Sequence, residues 1–505
     1  MIQKHSSIFY FIITSLSCAL WCTVGQSFTA YHIYDNADSS FFIYGGRILI
    51  EGLVLYKDFW DQKPPGVFYI NYLIIKFFGQ NMFAFAFIYG SLSFCAFLFF
   101  YITLIKLIQN HFYSFITTFF CCYAFNLNNY QDFGNRTEFF VAFFELLACA
   151  CVFIFFKSHS KKALFFSGLC SACAFLFKPI GMASYLALSG YFVIQCVLKE
   201  KGFFKSFLIS TLGFTTVLFL TFFFLESRGV LYESIYATFI VPIKLSVESP
   251  YGIFEIIKLS LIKLGPLWGI LIFLVLCLTV PFLNIDKKRR NVFLFALLFS
   301  GSSFAGVVVQ KYCRPHYYLP VTVPLCMLSM LVLFLNLEKV KLFKIHFMIN
   351  FILLLSFLFF GKWSLERQFR YLDVLKNLEK NREIEQIVNQ VSSKLNDGER
   401  IYCFTEGYLI HNLSSTFSPV TLSPLFTPMS HAAAKMVQKD FKPIFENPLL
   451  SPFILIDRSF ESRYFLKNTQ LSESGKEFYR DLLSLIRKKY KSEFSSELFD
   501  LYRLK

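Results

Sequence analysis

Six ionisable side chains of types suited to phosphate and proton chemistry interrupt a chain that is otherwise mostly hydrocarbon-compatible: Asp38, Lys63, Glu138, Lys178, Arg314 and His316. Lysine and arginine match the geometry of phosphate oxygens. A carboxylate at a membrane–water boundary can act as general base on a hydroxyl or an amine. Charges near a membrane are costly and mark function more often than packing. Each has a blander reading. Lys178 could snorkel from a span end, Glu138 could pair with Arg136, and Lys63, Arg314 and His316 could be interfacial anchors. Asp38 could simply cap a helix. The six residues come from four loops, and their falling on one membrane face would argue for a shared role.

The densest of these stretches runs from Asp35 to Gly66. Ser40, Tyr44, Arg47 and Glu51 fall at helical spacing on one face, and Phe41, Phe42, Gly45, Ile48, Leu49 and Gly52 on the other. The pattern predicts a short amphipathic helix lying along a membrane surface, with Asp38 just before its first turn. Asp38 and Arg47 are two and a half turns apart, so the arginine cannot pair directly with that carboxylate. Asp35 and Glu138 are the alternative bases. Pro64 opens a second amphipathic stretch that ends near Gly79.

The chain that positions these residues has 505 residues, 55% of them hydrophobic and 20% aromatic, including 69 phenylalanines. Its mean hydropathy is +0.52. Long uncharged runs make it a polytopic membrane protein with a polar tail. The net charge of +16 would suggest nucleic acid only on a shared basic surface. Here the basic residues cluster in short loops at 157–162, 199–205, 287–290 and 339–344. With the N-terminus in the cytoplasm, every one of these clusters falls inside. The loops carrying Asp38, Glu138, Lys178, Glu226 and Arg314 then fall outside.

The expected architecture is an all-α membrane domain over residues 1–361, with about eleven transmembrane helices and amphipathic juxtamembrane helices in the first outer loop. A small extracytoplasmic α/β domain is expected over 362–505, with a charged helix from Leu365 to Leu395 and short strands at Ile401–Phe404 and Phe453–Ile456. The first span lacks a convincing cleavage site and reads as a retained helix. The 14 cysteines lie mostly within apolar runs and read as small buried side chains, with no metal-ligand spacing. The glycosylation sequons at Asn135 and Asn412 read as chance matches.

The series Asp38, Arg47, Gly52, Tyr56, Asp58, Trp60-Asp61 and Lys63-Pro64-Pro65-Gly66 resembles the first outer loop of the GT-C glycosyltransferases. It is nearest in pattern to bacterial relatives of protein O-mannosyltransferases and lipid A aminoarabinose transferases. Glu138, Phe177-Lys178-Pro179 and Arg314-Pro315-His316-Tyr317-Tyr318-Leu319-Pro320 fit the same layout, so the resemblance covers about residues 8–361. It implies inverting transfer of a sugar from a polyprenyl-phosphate carrier to a lipid, glycan or protein acceptor, on the outer side of the inner (plasma) membrane. Asp38 matches the family's catalytic aspartate and Lys63 the lysine of its Lys-Pro-Pro element. Ser39 stands where the family often has a second acid, which keeps Asp35 as a rival base. Lys63, Lys178, Arg314, His316 and Tyr317 are expected to bind the lipid phosphate.

The resemblance implies no cofactor and no nucleic-acid partner, and the sequence does not indicate a divalent metal. Inversion needs no enzyme nucleophile, which agrees with the lack of a nucleophile motif. The alternative of a transporter or lipid flippase without covalent chemistry predicts ionisable residues near the bilayer midplane and repeat symmetry. A polymerase or ligase of surface polysaccharide is the rival within the enzyme class.

Overall fold

The computed structural model describes residues 2–32, 37–132, 134–200, 202–247, 252–264, 287–311, 314–339, 386, 389, 393, 401–404, 442, 453–457, 473–495 and 499–505. The chain forms two compact units. One comprises Met1–Ala30, Phe83–Leu225 and Tyr251–Tyr371; the other comprises Tyr31–Met82, Glu226–Pro250 and Leu372–Lys505.

The first unit is helical throughout its described residues. Among these, six helices are long and apolar enough to cross a membrane: Ser7–Ser27, Met82–Ile108, Thr137–Ser158, Pro179–Val197, Phe203–Ser227 and Arg289–Val309. The chain is thus built as a multi-pass membrane protein. Other expected spans exist as helices but fall outside that set. His111–Phe125 and Lys161–Phe175 have 15 residues each, about 22 Å of helix against a hydrocarbon core of about 30 Å. Leu319–Lys339 is a 21-residue helix with Pro324 inside it. The spans expected near 262–284 and 345–361 lie largely or wholly outside the described residues.

Small residues set how closely these helices approach. A Cβ on Gly168 would lie 2.0 Å from the carbonyl oxygen of Ser210, and one on Gly213 would lie 2.1 Å from that of Phe165. The helices Lys161–Phe175 and Phe203–Ser227 therefore cross backbone to backbone. A side chain at either glycine must push the pair apart. Gly213→Val is expected to cost about 1–3 kcal/mol of stability, read as a lower unfolding midpoint of the detergent-solubilised protein. Cysteines 18, 22, 121, 122, 149, 151 and 326 are buried and free, as small apolar side chains would be.

In the second unit, the predicted first-loop helix spans Ala37–Ile50. It differs from the expected surface helix in two ways. Asp38 lies inside the first turn, not before it. The polar face is also covered, because Ser40, Tyr44 and Arg47 are buried along with Phe41, Phe42 and Ile48. On the polar face Tyr44 meets Phe59 of the following loop, with ring centroids 5.5 Å apart, while Gly66–Phe78 packs on the apolar face. Phe41, Phe42, Phe59 and Phe68 form one aromatic cluster with ring centroids 4.7–6.0 Å apart. A Cβ on Gly46 would lie 2.8 Å from the backbone at Asn71 and Tyr72, so glycine permits the close crossing.

The same unit holds a four-stranded sheet of order β1-β2-β4-β3, formed by Ile401–Phe404 (β1), Phe453–Asp457 (β2), Tyr490–Ser495 (β3) and Phe499–Leu504 (β4). β1 and β2 are parallel, and the other pairings are antiparallel. The sequence reading found β1 and β2. It missed the hairpin β3–β4 and the helix Glu473–Lys489, which buries Leu482, Leu485 and Ile486. The charged run expected as a helix over Leu365–Leu395 lies almost wholly outside the described residues.

Candidate functional site

Two cations of the first unit are presented by the same local device. Lys178 and Arg314 each precede a proline, which forces extended backbone on the preceding residue. Their φ/ψ angles are −161°/141° and −79°/139°. The prolines then open short 3-10 turns, Pro179–Met182 and Pro315–Tyr318, where a missing N–H costs nothing. These turns lead into the helices Ala183–Val197 and Leu319–Lys339.

Lys178 is buried, and its Nζ donates to Glu138 Oε1 at 2.5 Å. The same nitrogen lies 3.4 Å from the centroid of the Tyr317 ring, a cation–π distance. Glu138 Oε2 accepts from the Thr137 hydroxyl at 2.9 Å. The sequence reading offered Arg136 as the partner of Glu138. In the structure Arg136 forms an ion pair with Asp132 and Lys178 forms one with Glu138, and the Glu138 charge also acts on Arg136. Burial pushes the Arg136 guanidinium down to about 10, opposed by nearby Glu138 and Tyr317, with Arg314 lowering it further. Arg136 therefore stays charged at neutral pH. Arg314 itself is exposed.

Asp132 also receives His316, whose Nδ1 lies 3.1 Å from Oδ2. Burial, then the charge of Arg136, holds this imidazole below its ordinary range, although the Asp132 hydrogen bond opposes the shift. His316 thus enters the site as a neutral hydrogen-bonding group, and the cations here are Lys178, Arg136 and Arg314. A folded-state value below the unfolded one means that the histidine's contribution is present above the unfolded value of about 6.5 and is lost as pH falls through the folded value. Acidification from neutrality should therefore lower the unfolding temperature of the protein, and His316→Gln should flatten that dependence.

The turn that carries Asp132 is held from several sides. Asp132, Gly134 and Asn135 all adopt positive φ, which Asp, Asn and Gly tolerate best. Tyr89 donates its hydroxyl to Asn135 Oδ1 at 2.8 Å, and Asn135 is fully buried. Gln26 donates to Gln131, which donates to Asn126, tying the first helix to the same turn. On the other side, the Tyr318 and Ser260 hydroxyls meet at 2.8 Å.

The second unit carries the remaining candidates. Asp38 is half-buried in the first turn of its helix. Arg47 is buried, with its guanidinium carbon 5.3 Å from the Tyr44 ring centroid, and burial lowers its value. The loop 51–65 is a knot of backbone and side-chain bonds. Tyr56, at φ 70°, donates its hydroxyl to the carbonyl of Lys63 at 2.8 Å. Asp58 Oδ2 accepts from Val54 N–H at 2.8 Å. Asp61 is buried beside Lys63; burial raises its carboxyl above the usual range, and the Lys63 charge opposes the shift. Asp35 lies outside the described residues.

The sequence reading singled out Glu138, Lys178, Arg314, His316 and Tyr317, and the structure brings them into one neighbourhood. It missed Arg136 and Asp132 as members. Their signal was present in the positive-φ formers around Gly134, which mark a tight turn. Asp61 was quoted in the first-loop motif but assigned no role. Among the described residues, no three His, Cys, Asp or Glu side chains converge as metal ligands.

No family model and no curated protein matches the chain. Solved structures do match it. ArnT from Cupriavidus metallidurans bound to undecaprenyl phosphate superposes with a TM-score of 0.59 at 11% identity, over 98% of this chain and 97% of that one. ArnT in the apo state gives 0.57 at 11% identity, over 99% and 98%. The fold is therefore of the ArnT type, as the resemblance of the first loop and its later motifs implied.

Proposed function

We propose that the chain is an integral-membrane inverting glycosyltransferase. It would move a sugar from a polyprenyl-phosphate carrier to a lipid, glycan or protein acceptor on the outer side of the plasma membrane. The observation that carries this reading is the cation-rich cluster in which Lys178 and Arg136 are buried and Arg314 is exposed beside them. It stands on a fold shared with a protein that binds undecaprenyl phosphate. A lipid phosphate leaving a sugar gains charge on its oxygen, and preorganised cations in a water-poor site stabilise that charge most effectively.

In this reading Asp38 accepts the proton of the acceptor hydroxyl or amine. The freed lone pair attacks the anomeric carbon on the face opposite the phosphate. The carbon–oxygen bond to the carrier breaks, its electron pair goes to the phosphate, and the configuration inverts. Lys63, Lys178 and Arg314 are assigned to the phosphate, with Tyr317 orienting Lys178 and neutral His316 donating or accepting a hydrogen bond. Residues 362–505 are assigned to acceptor access.

The reading is tested by mass spectrometry of surface glycans from cells with and without the protein, alongside transfer by the purified protein from a polyprenyl-phosphate sugar. Loss of one sugar modification in the deleted cells and its transfer in vitro are expected. Relocation of an unaltered glycolipid, with no new glycosidic bond, would favour a flippase instead.

A further inference from the structure

Glu145 lies seven residues after Glu138 on Thr137–Ser158, two helical turns further into the span and on the same face. It is 1% exposed. Its Oε1 accepts from the backbone N–H of Ser184 at 3.3 Å, and its Oε2 has no hydrogen-bond partner among the described residues. A carboxyl in the interior of a membrane protein needs a reason to be there. Here it meets the first turn of Ala183–Val197 at the Ser184 amide.

The same turn is clamped from two further helices. The Ser171 and Ser184 hydroxyls meet at 2.8 Å, and Ser302 Oγ donates to the Ala183 carbonyl at 2.8 Å. Just upstream, a Cβ on Gly181 would lie 2.4 Å from the carbonyl of Ala174, so the 179–182 turn is pressed onto the end of the preceding helix. Between these clamps and the Glu138 contact, Lys178 has little freedom.

We propose that Glu145 is a positioning residue for Lys178. By accepting from the helix start at Ser184, it fixes the Pro179–Met182 turn so that the Lys178 ammonium meets both Glu138 and Tyr317. Its consequence for lipid-phosphate binding rests on the function proposed above; its consequence for the geometry of Lys178 does not.

Two measurements on the full-length purified protein separate these. The first is the rate at which acetic anhydride modifies Lys178, read by mass spectrometry against exposed Lys157 as internal standard. Glu145→Met should speed modification of Lys178 several-fold in protein that remains folded by its unfolding transition. Glu145→Gln, which keeps an acceptor for the Ser184 amide, should restore the slow rate. An unchanged Lys178 rate in folded Glu145→Met, with stability alone lowered, would overturn the proposal.

The second is undecaprenyl phosphate binding. Glu145→Met should weaken it about 3–30-fold in the wild-type background and add no further loss in a Glu138→Gln/Lys178→Met background. Full multiplication of the two losses would also overturn the proposal. No binding by the wild-type protein would remove the functional reading and leave the labelling result to decide the position of Lys178.

Discussion

Asp38→Asn is expected to fold, to bind undecaprenyl phosphate as the parent protein does, and to transfer sugar about 10²–10⁴-fold more slowly. Asparagine keeps the shape of aspartate, so a purely structural role predicts near-normal transfer. Asp38 lies in the first turn of a helix whose body is packed between aromatic rings, which holds its position without needing its charge. Glu138, by contrast, is engaged within the protein by Lys178 and Thr137. Glu138→Gln should therefore show mainly as lost stability and weakened donor binding. Single-turnover transfer with each variant, beside Asp35→Asn, separates the three. Normal turnover by Asp38→Asn with an inactive Asp35→Asn would move the base to Asp35.

Lys178→Met should destabilise the protein by about 3–5 kcal/mol, because it strands the Glu138 carboxylate in a buried place. Glu138 is 2% exposed, so water cannot replace the lost partner. Adding Glu138→Gln to Lys178→Met removes the stranded charge and should return most of the stability. Donor binding should not return with it, since the cation assigned to the phosphate is still absent. Unfolding midpoints and undecaprenyl phosphate binding for the two single variants and the double variant test this. Recovery of both properties in the double variant would mean that the pair serves only to hold two helices together.

The predictions differ in how much of their basis was visible before folding. Six span positions were legible among the described residues, because hydropathy acts over a single segment and about 20 apolar residues behave alike whatever surrounds them. Lys178 and Arg314 were legible as cations set in loops between apolar runs, and the extended backbone of each follows from the proline after it. The strands Ile401–Phe404 and Phe453–Asp457 were found because they are apolar runs. The hairpin Tyr490–Ser495 and Phe499–Leu504 was missed because charged residues such as Lys491, Asp500 and Arg503 alternate through it.

Partner choice was decided only by the tertiary structure. Glu138 has Arg136 two positions away in sequence, yet it pairs with Lys178, 40 residues on. The helix turns Glu138 inward, while positive φ at Asp132, Gly134 and Asn135 brings Arg136 and Asp132 into an ion pair. The expected polar face of Ala37–Ile50 is buried although Gly66–Phe78 packs on the opposite face, against Phe41, Phe42 and Gly45, and periodicity within one helix cannot report what covers its other side. His316 reads as a cation from its type and as a neutral ring from its surroundings, because burial and Arg136 outweigh Asp132. The role of Glu145 depends on a helix start 39 residues away. Local sequence settles which residues are polar and which segments are apolar; the charge state and partner of each polar group depend on contacts that only the folded chain creates.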